Sequence, residues 1–392
     1  MQGFTEKINA FLDGKKDEIF AAYKDIINLE SYHSDLDALA KLAERLKTEF
    51  EAEGFQCRLI PVGPDNGAVL SGILGADRPG KPILFSGHMD TVHPTGKFGE
   101  NPFRMEDGKA YGPGVLDMKG GIVISLFVVK ALNALGFDSH PIKILYCGDE
   151  EILHQNGAKT SEVLMEEAKG CLCAFNMETG LLDNSICIAR NGKTEVTVSV
   201  EGVSAHAGND FASGRNAIVE MMKKLDILQT FTDLEHKMTV NIGTIHGGTA
   251  SGSVPAHCEA KIDLRASRVA DMETLKKKIE EVLAKTFIEG TTTMFSYTQE
   301  MLPFETTDDT MKLYQFVHDT AAKYGFGEMP CIKLGGSSDA SYLTIAGIPT
   351  ICSCGVRGQW NHTDKEYALA DSMLERAKLW ANVVAELGEK KA

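Results

Sequence analysis

The sequence predicts an α/β fold with a mainly parallel, buried sheet flanked by helices, into which a ferredoxin-like α+β domain is inserted. Three observations lead to this prediction. Short apolar runs alternate with helical patterns in the first half of the chain, and the same alternation resumes near its end. Between these parts, the strands and helices follow a different order. We therefore predict one domain formed by residues 1–191 and 306–392, and a second domain formed by residues 192–305.

The larger domain begins with helical periodicity and continues with short apolar segments. Residues 34–53 repeat apolar side chains at helical spacing, and Gly54 follows as a helix stop. The apolar segments are AVLSGIL, PILFSG, IKILYCG, CLCAFNM and PTICSCG. Segments of this length predict buried strands. Because helical patterns such as residues 120–135 and 311–324 alternate with them, a parallel sheet covered by helices is expected.

The inserted domain shows a β-α-β-β-α-β order. KTEVTVSVEGV alternates like a half-exposed strand, and RNAIVEMMKKLDIL has helical spacing. KMTVNIGTIHGG and AHCEAKIDLRAS are again strand-like, DMETLKKKIEEVLAK is helical with a charged face, and TTTMFSYTQEM is a final strand. This order is that of the ferredoxin-like split unit.

The composition excludes some classes of partner. The formal net charge is −15, and the chain has no basic stripe that could neutralise the phosphates of a nucleic acid. No apolar run reaches transmembrane length, and the opening residues contain acids and lysines where a signal peptide needs an uninterrupted apolar region. We therefore predict a cytoplasmic protein that binds neither nucleic acid nor membrane.

Side chains that can bind metals follow the apolar segments of the larger domain. PILFSG is followed by His88 and Asp90, and IKILYCG by the acidic run Asp149–Glu151. CLCAFNM is followed by Glu178 and, after a short loop, PTICSCG by His362. In open α/β sheets, ligands bind beyond the carboxyl ends of the strands. These side chains are therefore expected to meet.

A further carboxylate, Asp117, lies in the glycine-rich segment AYGPGVLDMKGG. This segment looks like a dinucleotide-binding loop, but Asp117 stands in place of the third glycine, where it would repel a phosphate and suit a cation. Two histidines and three carboxylates, one of them bridging, can hold two zinc ions. Of the adjacent Glu150 and Glu151, one can bind metal while the other acts as a base. Asp90 can hold the ring of His88 in one tautomer.

A set of short motifs occurs in the order typical of one enzyme family. The motifs are GHMDTVHP, GPGVLDMKGG, GDEE, METG, SAHAG, GGSSDASYL and NHTDKEY. Together they resemble the M20 family of metallopeptidases, which includes glutamate carboxypeptidases, aminoacylases, acetylornithine deacetylase and succinyl-diaminopimelate desuccinylase. The resemblance covers roughly residues 20–388. It implies a zinc-peptidase-like α/β domain with an inserted lid and dimerisation domain.

The resemblance implies a centre with two Zn²⁺ ions, for which Co²⁺ or Mn²⁺ are alternatives. The implied ligands of one ion are His88, Asp117 and Glu178, and those of the other are Asp117, Glu151 and His362. Glu150 is implied as the general base, and Asp90 as the partner of the His88 ring. The peptide bond that follows the bridging aspartate is expected to be cis, although no proline follows it.

The resemblance also implies substrate-binding residues outside the metal set. His206 in SAHAG resembles the lid histidine that binds the oxyanion, with a turn of small residues as the alternative. Arg265 in KIDLRAS resembles the lid arginine that pairs with a substrate carboxylate, with a structural ion pair as the alternative. Gly335 and Gly336 resemble a backbone loop that lines the pocket. The chain departs from its relatives at Gly252, where asparagine is common.

Together with these residues, the resemblance implies a dizinc hydrolase that cleaves an amide bond next to a free carboxylate, using a metal-bridging water activated by Glu150. The first hypothesis is a carboxypeptidase-like enzyme acting on small peptides. The second is an N-acyl amino acid deacylase of the acetylornithine deacetylase or succinyl-diaminopimelate desuccinylase type. A non-catalytic binding protein on the same fold belongs to another class, and it would be expected to lack a ligand or the base. The resemblance also implies a homodimer formed through the lid.

Overall fold

The computed structural model describes residues 2–155 and 157–389. In it the chain forms two compact units. The first unit contains Met1–Ala189, Thr306–Lys333 and Asp339–Ala392, and the second contains Arg190–Glu305 and Leu334–Ser338. The second unit is thus built almost entirely from one segment, and the chain that follows this segment completes the first unit.

The described residues form the following helices and strands. The α-helices are α1 (Gln2–Gly14), α2 (Lys16–Asn28), α3 (Leu36–Ala52), α4 (Lys119–Ala134), α5 (Thr160–Ala168), α6 (Ala217–Leu228), α7 (Val269–Leu283), α8 (Asp308–Lys323), α9 (Ala340–Ile345) and α10 (Ala370–Glu389). The strands are β1 (Gln56–Ile60), β2 (Gly67–Leu74), β3 (Ile83–His88), β4 (Arg104–Glu106), β5 (Lys109–Tyr111), β6 (Ile142–Gly148), β7 (Cys173–Asn176), β8 (Ile186–Arg190), β9 (Gly192–Glu201), β10 (Ala205–His206), β11 (Thr239–Gly247), β12 (Ser253–Val254), β13 (His257–Ala266), β14 (Thr292–Met301), β15 (Cys331–Leu334), β16 (Thr350–Ile351), β17 (Gly358–Gln359) and β18 (Tyr367–Leu369). Among the described residues, none of these helices combines the length and the apolar character that crossing a bilayer requires.

The central sheet of the first unit has six strands in the order β1-β2-β6-β3-β7-β16. The strands β6, β3, β7 and β16 run parallel to one another, whereas β2 pairs antiparallel with both β1 and β6. The sheet is therefore mixed, and the predicted mainly parallel arrangement does not describe its β1–β2 edge. An apolar run such as AVLSGIL carries no signal for strand direction, and the short connection between β1 and β2 suits an antiparallel pair.

Helix α4 fills the core of the first unit. Its sequence is apolar on almost every side, and its side chains from Lys119 to Val129 are buried. The helix α10 packs against it and inserts Trp380, whose Nε1 donates a hydrogen bond of 2.7 Å to the carbonyl oxygen of Cys354. The ring of Trp380 lies 5.1 Å from that of Phe175 on β7. Helix α10 therefore packs against both α4 and the strand β7.

The glycines at the start of α4 allow a close approach to the chain that follows β7. A Cβ atom at Gly121 would lie 1.9 Å from the carbonyl oxygen of Met177. A Cβ atom at Gly120 would lie 2.7 Å from the carbonyl oxygen of Val115. Backbone oxygens cannot rotate away from such a contact as the end of a side chain can. Gly121 therefore keeps the segment before α4 next to the segment that carries Glu178.

We expect Gly121→Ala to lower the free energy of unfolding by about 1–3 kcal/mol, because the added methyl group overpacks a rigid backbone contact. Guanidinium denaturation followed by circular dichroism measures this change. The matched control is Gly14→Ala at the end of α1, where a Cβ atom would meet nothing within 4 Å. Gly14→Ala is expected to be neutral or slightly stabilising because alanine favours helix. Equal stability of the two variants would contradict the proposed close packing.

The second unit is built on a four-stranded antiparallel sheet in the order β11-β13-β9-β14. Along the chain its main elements follow the order β9-α6-β11-β13-α7-β14. Residues along β9 alternate strictly between buried and partly exposed, as the KTEVTVSVE pattern predicts. The helices α6 and α7 cover the apolar face of the sheet and share one core with it.

Candidate metal centre

The carboxyl ends of the parallel strands carry the predicted metal-binding side chains. His88 is the last residue of β3, where it lies opposite Cys147 of β6. Asp149 and Glu150 follow the end of β6 directly, and Glu178 lies two residues after the end of β7. Because the three strands are parallel neighbours, their ends reach the same edge of the sheet. The alternation of apolar runs and polar ends in the sequence therefore corresponds to one cluster in space.

Two groups of donor atoms share Asp117. The Nε2 atom of His88 lies 3.1 Å from Asp117 Oδ1 and 3.3 Å from Glu178 Oε1. The Nε2 atom of His362 lies 3.2 Å from Asp117 Oδ2 and 3.1 Å from Glu151 Oε2. Each carboxylate oxygen of Asp117 thus faces a different histidine. The Asp117–Met118 peptide bond is cis, which confirms the expectation from the sequence.

Asp90 connects the His88 ring with the turn that carries the glutamates. The Nδ1 atom of His88 lies 3.0 Å from the backbone oxygen of Asp90 and 3.4 Å from its Oδ1. The two carboxylate oxygens of Asp90 accept the backbone N–H groups of Glu150 and Glu151, at 3.2 and 2.9 Å. These contacts make Nδ1 of His88 a donor to Asp90 and leave Nε2 as the ring nitrogen that faces the carboxylates of Asp117 and Glu178.

The charges of the two histidines follow from these contacts. Burial would lower the pKa of His88, but its carboxylate contacts, that with Asp117 first, outweigh burial and raise this pKa well above its ordinary value. The carboxylates of Asp117 and Glu151 raise the pKa of His362 to about 11. For Asp117 burial would raise the pKa, yet His362 and His88 lower it. The centre therefore stabilises positive charge at both Nε2 positions.

Glu150 is buried beside this set, within reach of His88 and Glu178. Burial raises its pKa well above the ordinary value, and the charge of His88 opposes that rise only in part. Burial and the charge of Asp117 raise the pKa of Glu151 to about 7. A carboxyl group with a raised pKa can accept and later return a proton near neutral pH.

The donor set fits divalent zinc. Two ligands that lie 2.0–2.1 Å from a tetrahedral zinc ion are about 3.3 Å apart, and the four distances within the two groups are 3.1–3.3 Å. Oε1 of Glu151 is buried and has no hydrogen-bond partner among the described residues. Such an oxygen is costly unless it meets a cation or a donor. The donor set is therefore suited to binding a divalent cation.

Some residues around the centre carried no individual signal in the sequence. Asn361 donates a hydrogen bond of 2.9 Å from Nδ2 to Asp117 Oδ2. Asp339 is buried and accepts a hydrogen bond of 2.8 Å from Nδ2 of Asn176. Both lie within motifs that were recognised as a whole, NHTDKEY and GGSSDASYL. Asn361 directly precedes His362 in the sequence, which was an available signal, whereas Asp339 has no predicted ligand beside it.

Asp149 holds the turn that contains Glu150. Its carboxylate accepts hydrogen bonds from Nδ2 of Asn66 at 2.9 Å, Oγ1 of Thr160 at 2.6 Å and Nδ1 of His154 at 2.8 Å. The backbone N–H of His154 also donates to the carbonyl oxygen of Asp149 at 3.0 Å. Asp149 therefore fixes the chain just before the glutamates, while Asp90 holds their own N–H groups.

The other predicted site residues belong to the second unit. His206 is exposed, and its Nδ1 accepts the backbone N–H groups of Gly208 and Asn209 at 3.2 and 3.1 Å. Arg265 forms a forked pair with Asp263, with distances of 2.8 Å from Nε and 3.2 Å from Nη2. Gly335 and Gly336 lie in the Leu334–Ser338 segment of the same unit. In the first unit, by contrast, the structure brings together all the predicted metal-binding residues, the base and Asp90.

The chain is similar to known proteins over most of its length. Residues 84–386 match the model of a family described as Peptidase family M20/M25/M40. The chain is 27% identical over 383 residues to carboxypeptidase G2 of Pseudomonas sp. strain RS-16. This alignment covers 95% of this chain and 90% of that relative. The chain is 30% identical over 268 residues to a succinyl-diaminopimelate desuccinylase of Cupriavidus pinatubonensis, covering 63% of this chain and 69% of the relative.

A solved structure supports the fold. The crystal structure of aminopeptidase PepT from Bacillus cereus matches with a TM-score of 0.78 and 20% sequence identity, and the match covers 95% of this chain and 99% of that chain. At this identity, the likeness shows a common fold.

Proposed function

Because the chain belongs to peptidase family M20/M25/M40, we propose that it is a dizinc hydrolase that cleaves an amide bond next to a free carboxylate. At a coarser level, it is an M20 family hydrolase of the carboxypeptidase or N-acyl amino acid deacylase type. The observation that carries the proposal is the sharing of Asp117, whose two oxygens face His88 and His362 at 3.1 and 3.2 Å.

In this proposal the two groups of donor atoms hold one zinc ion each. His88, Glu178 and Asp117 would hold the first ion, and His362, Glu151 and Asp117 would hold the second. When bound, the ions supply polarisation of the scissile carbonyl group and acidification of a water molecule. Imidazole and carboxylate ligands also suit cobalt and manganese, so metal analysis of the purified protein is the direct test of the native metal.

Glu150 acts as the general base. Its carboxylate takes a proton from the attacking water and later gives this proton to the leaving amine. The rise of its pKa on burial supports this role. The contact of Asp90 with the backbone N–H of Glu150 keeps the glutamate at a fixed position.

The second unit supplies the proposed substrate contacts. His206 would stabilise the oxyanion, Arg265 would bind the substrate carboxylate, and Gly335 and Gly336 would line the pocket. The guanidinium group of Arg265 already donates two hydrogen bonds to the carboxylate of Asp263. To bind a substrate carboxylate, it would have to release Asp263 or bind both carboxylates at once. Assembly of a homodimer through the second unit remains a prediction from the family resemblance.

A carboxypeptidase-like activity is favoured over deacylation by the extent of the similarity to relatives. The match to carboxypeptidase G2 covers 95% of this chain, whereas the match to the desuccinylase covers 63%. The likeness to carboxypeptidase G2 therefore includes more of the regions that could contact a substrate. The deacylase activity is the second candidate because the local identity to the desuccinylase is 30%.

We expect zinc-loaded enzyme to hydrolyse N-capped dipeptides with a higher kcat/KM than acetyl- or succinyl-amino acids. The assay compares both substrate classes at equal protein and zinc concentrations. Dialysis against a metal chelator should abolish turnover, and a serine-reactive reagent should leave it unchanged. A preference for acyl amino acids would favour the deacylase. Zinc loading without turnover of either class would favour a binding protein.

A further inference from the structure

Glu366 holds the backbone that carries the shared carboxylate. This residue directly precedes β18 and is buried, with 4% of its surface exposed. Its Oε1 accepts the backbone N–H groups of Leu116 and Asp117, at 2.8 and 3.0 Å. Because a charged acceptor makes stronger hydrogen bonds than a neutral one, these two contacts fix the main chain on both sides of the Cα atom of Leu116, directly before Asp117.

The other oxygen of Glu366 is also engaged. Oε2 lies 2.8 Å from Nε2 of His93, and the His93 side chain is buried as well. The His93 ring packs edge-on against Phe98, with the ring centroids 5.1 Å apart. The Glu366 carboxylate therefore cannot turn without giving up either the histidine or the two backbone N–H groups.

Neighbouring contacts place Glu366 next to the segment that contains Asp117. The strand β18 pairs with β5, with Tyr367 opposite Tyr111, so Glu366 lies next to the strand that leads into the Asp117 segment. Asn361 holds the side chain of Asp117 at Oδ2. Glu366 thus holds the main chain of Asp117, while Asn361 holds its carboxylate.

We propose that Glu366, held by His93, is a positioning residue that sets Asp117 for both groups of donor atoms. The inference rests on the dizinc centre proposed above. Asp117 is common to the two groups, so displacement of its backbone moves one oxygen away from His88 and the other away from His362. Loss of Glu366 therefore lowers the affinity for both metal ions together, whereas loss of Glu178 or Glu151 lowers mainly the affinity for one of them.

The test compares zinc binding in Glu366→Ala and Glu366→Gln. Zinc per folded chain is measured by mass spectrometry after equilibration with graded chelator, and circular dichroism reports folding. Glu366→Ala is expected to lower the affinity for both ions by about 10–100-fold. Glu366→Gln keeps an oxygen acceptor for the N–H groups and an amide that can donate to His93, so it is expected to lose much less zinc affinity than Glu366→Ala.

A matched control removes a glutamate–histidine pair elsewhere. Oε1 of Glu201 lies 2.8 Å from Nδ1 of His257 in an exposed pair of the second unit. Glu201→Ala is therefore expected to keep wild-type zinc affinity. The second test variant, His93→Ala, leaves the Oε1 contacts of Glu366 in place but frees its carboxylate to turn. His93→Ala is expected to lower the affinity for both zinc ions by a smaller factor than Glu366→Ala does. If Glu366→Ala does not fold, His93→Ala tests the proposal in its place.

The outcomes separate the inference from the proposed function. Wild-type protein that binds no zinc would overturn the proposed dizinc centre. Wild-type protein with two zinc ions, together with a folded Glu366→Ala that binds both equally well, would overturn the positioning role alone. The positioning role would also be overturned if Glu366→Ala lost only one zinc ion, or if Glu366→Gln lost as much zinc affinity as Glu366→Ala. If Glu366→Ala does not fold, unchanged zinc affinity in His93→Ala would overturn it.

Discussion

Replacement of Glu150 by glutamine is expected to lower kcat by about 10²–10⁴-fold, the range over which a positioned general base contributes to catalysis. The amide has nearly the same shape as the carboxylate but cannot accept a proton from water. Both zinc ions should remain bound, because the contacts within the two groups of donor atoms join His88 and His362 to carboxylates other than Glu150. Steady-state kinetics on the preferred substrate and metal analysis of the same sample test both parts.

Two further variants accompany Glu150→Gln. Glu150→Ala should lose turnover to a similar extent, since it too lacks the proton acceptor. Glu162→Gln changes an exposed glutamate in the first turn of α5 and should retain wild-type kcat. A Glu150→Gln enzyme that carries its full zinc content and turns over at the wild-type rate would rule out Glu150 as the base.

Replacement of Asp117 by asparagine is expected to abolish binding of both zinc ions, and turnover should fall to background. An amide carries no charge and offers one oxygen, so its nitrogen would face a histidine Nε2 that now meets a carboxylate oxygen at 3.1 or 3.2 Å. Metal analysis by mass spectrometry and calorimetric zinc titration measure the loss. Turnover assays with excess zinc show whether added metal restores activity.

The comparison with single-group ligands makes the Asp117 test specific. Glu178→Gln removes a ligand of the first group only, so the second ion should remain bound. Glu151→Gln should affect the second ion in the same way. Two tightly bound zinc ions in Asp117→Asn would show that this carboxylate is not shared, and the dizinc arrangement would have to be abandoned.

Several residues of the candidate centre could be predicted because each follows a strong local signal in the sequence. An apolar strand ends, and a histidine or carboxylate follows; this is the case for His88, Glu150 and Glu178. The parallel order of β6, β3 and β7 then brings these ends to one edge. Whether β2 pairs parallel or antiparallel with its neighbours was not predictable in the same way, since the hydrophobic pattern of a strand is the same in both cases.

The contacts that orient the donor atoms could not be predicted from local patterns. The hydrogen bond from the Asp117 N–H to Glu366 joins residues 249 positions apart, and no periodicity marks such a pair. The role of Asp90 was only partly foreseen. Its proximity to the His88 ring was expected, but the use of its carboxylate to hold the N–H groups of Glu150 and Glu151 depends on how close β3 and β6 lie.

The position of the second unit along the chain imposes an order on biosynthesis. Residues of the first group, His88, Asp117 and Glu178, are all translated before Arg190, where the second unit begins. His362, which the second group requires, emerges only after that unit has been made. A chain whose synthesis is interrupted between these points contains the three residues of the first group but lacks His362, so it can complete at most one of the two groups of donor atoms.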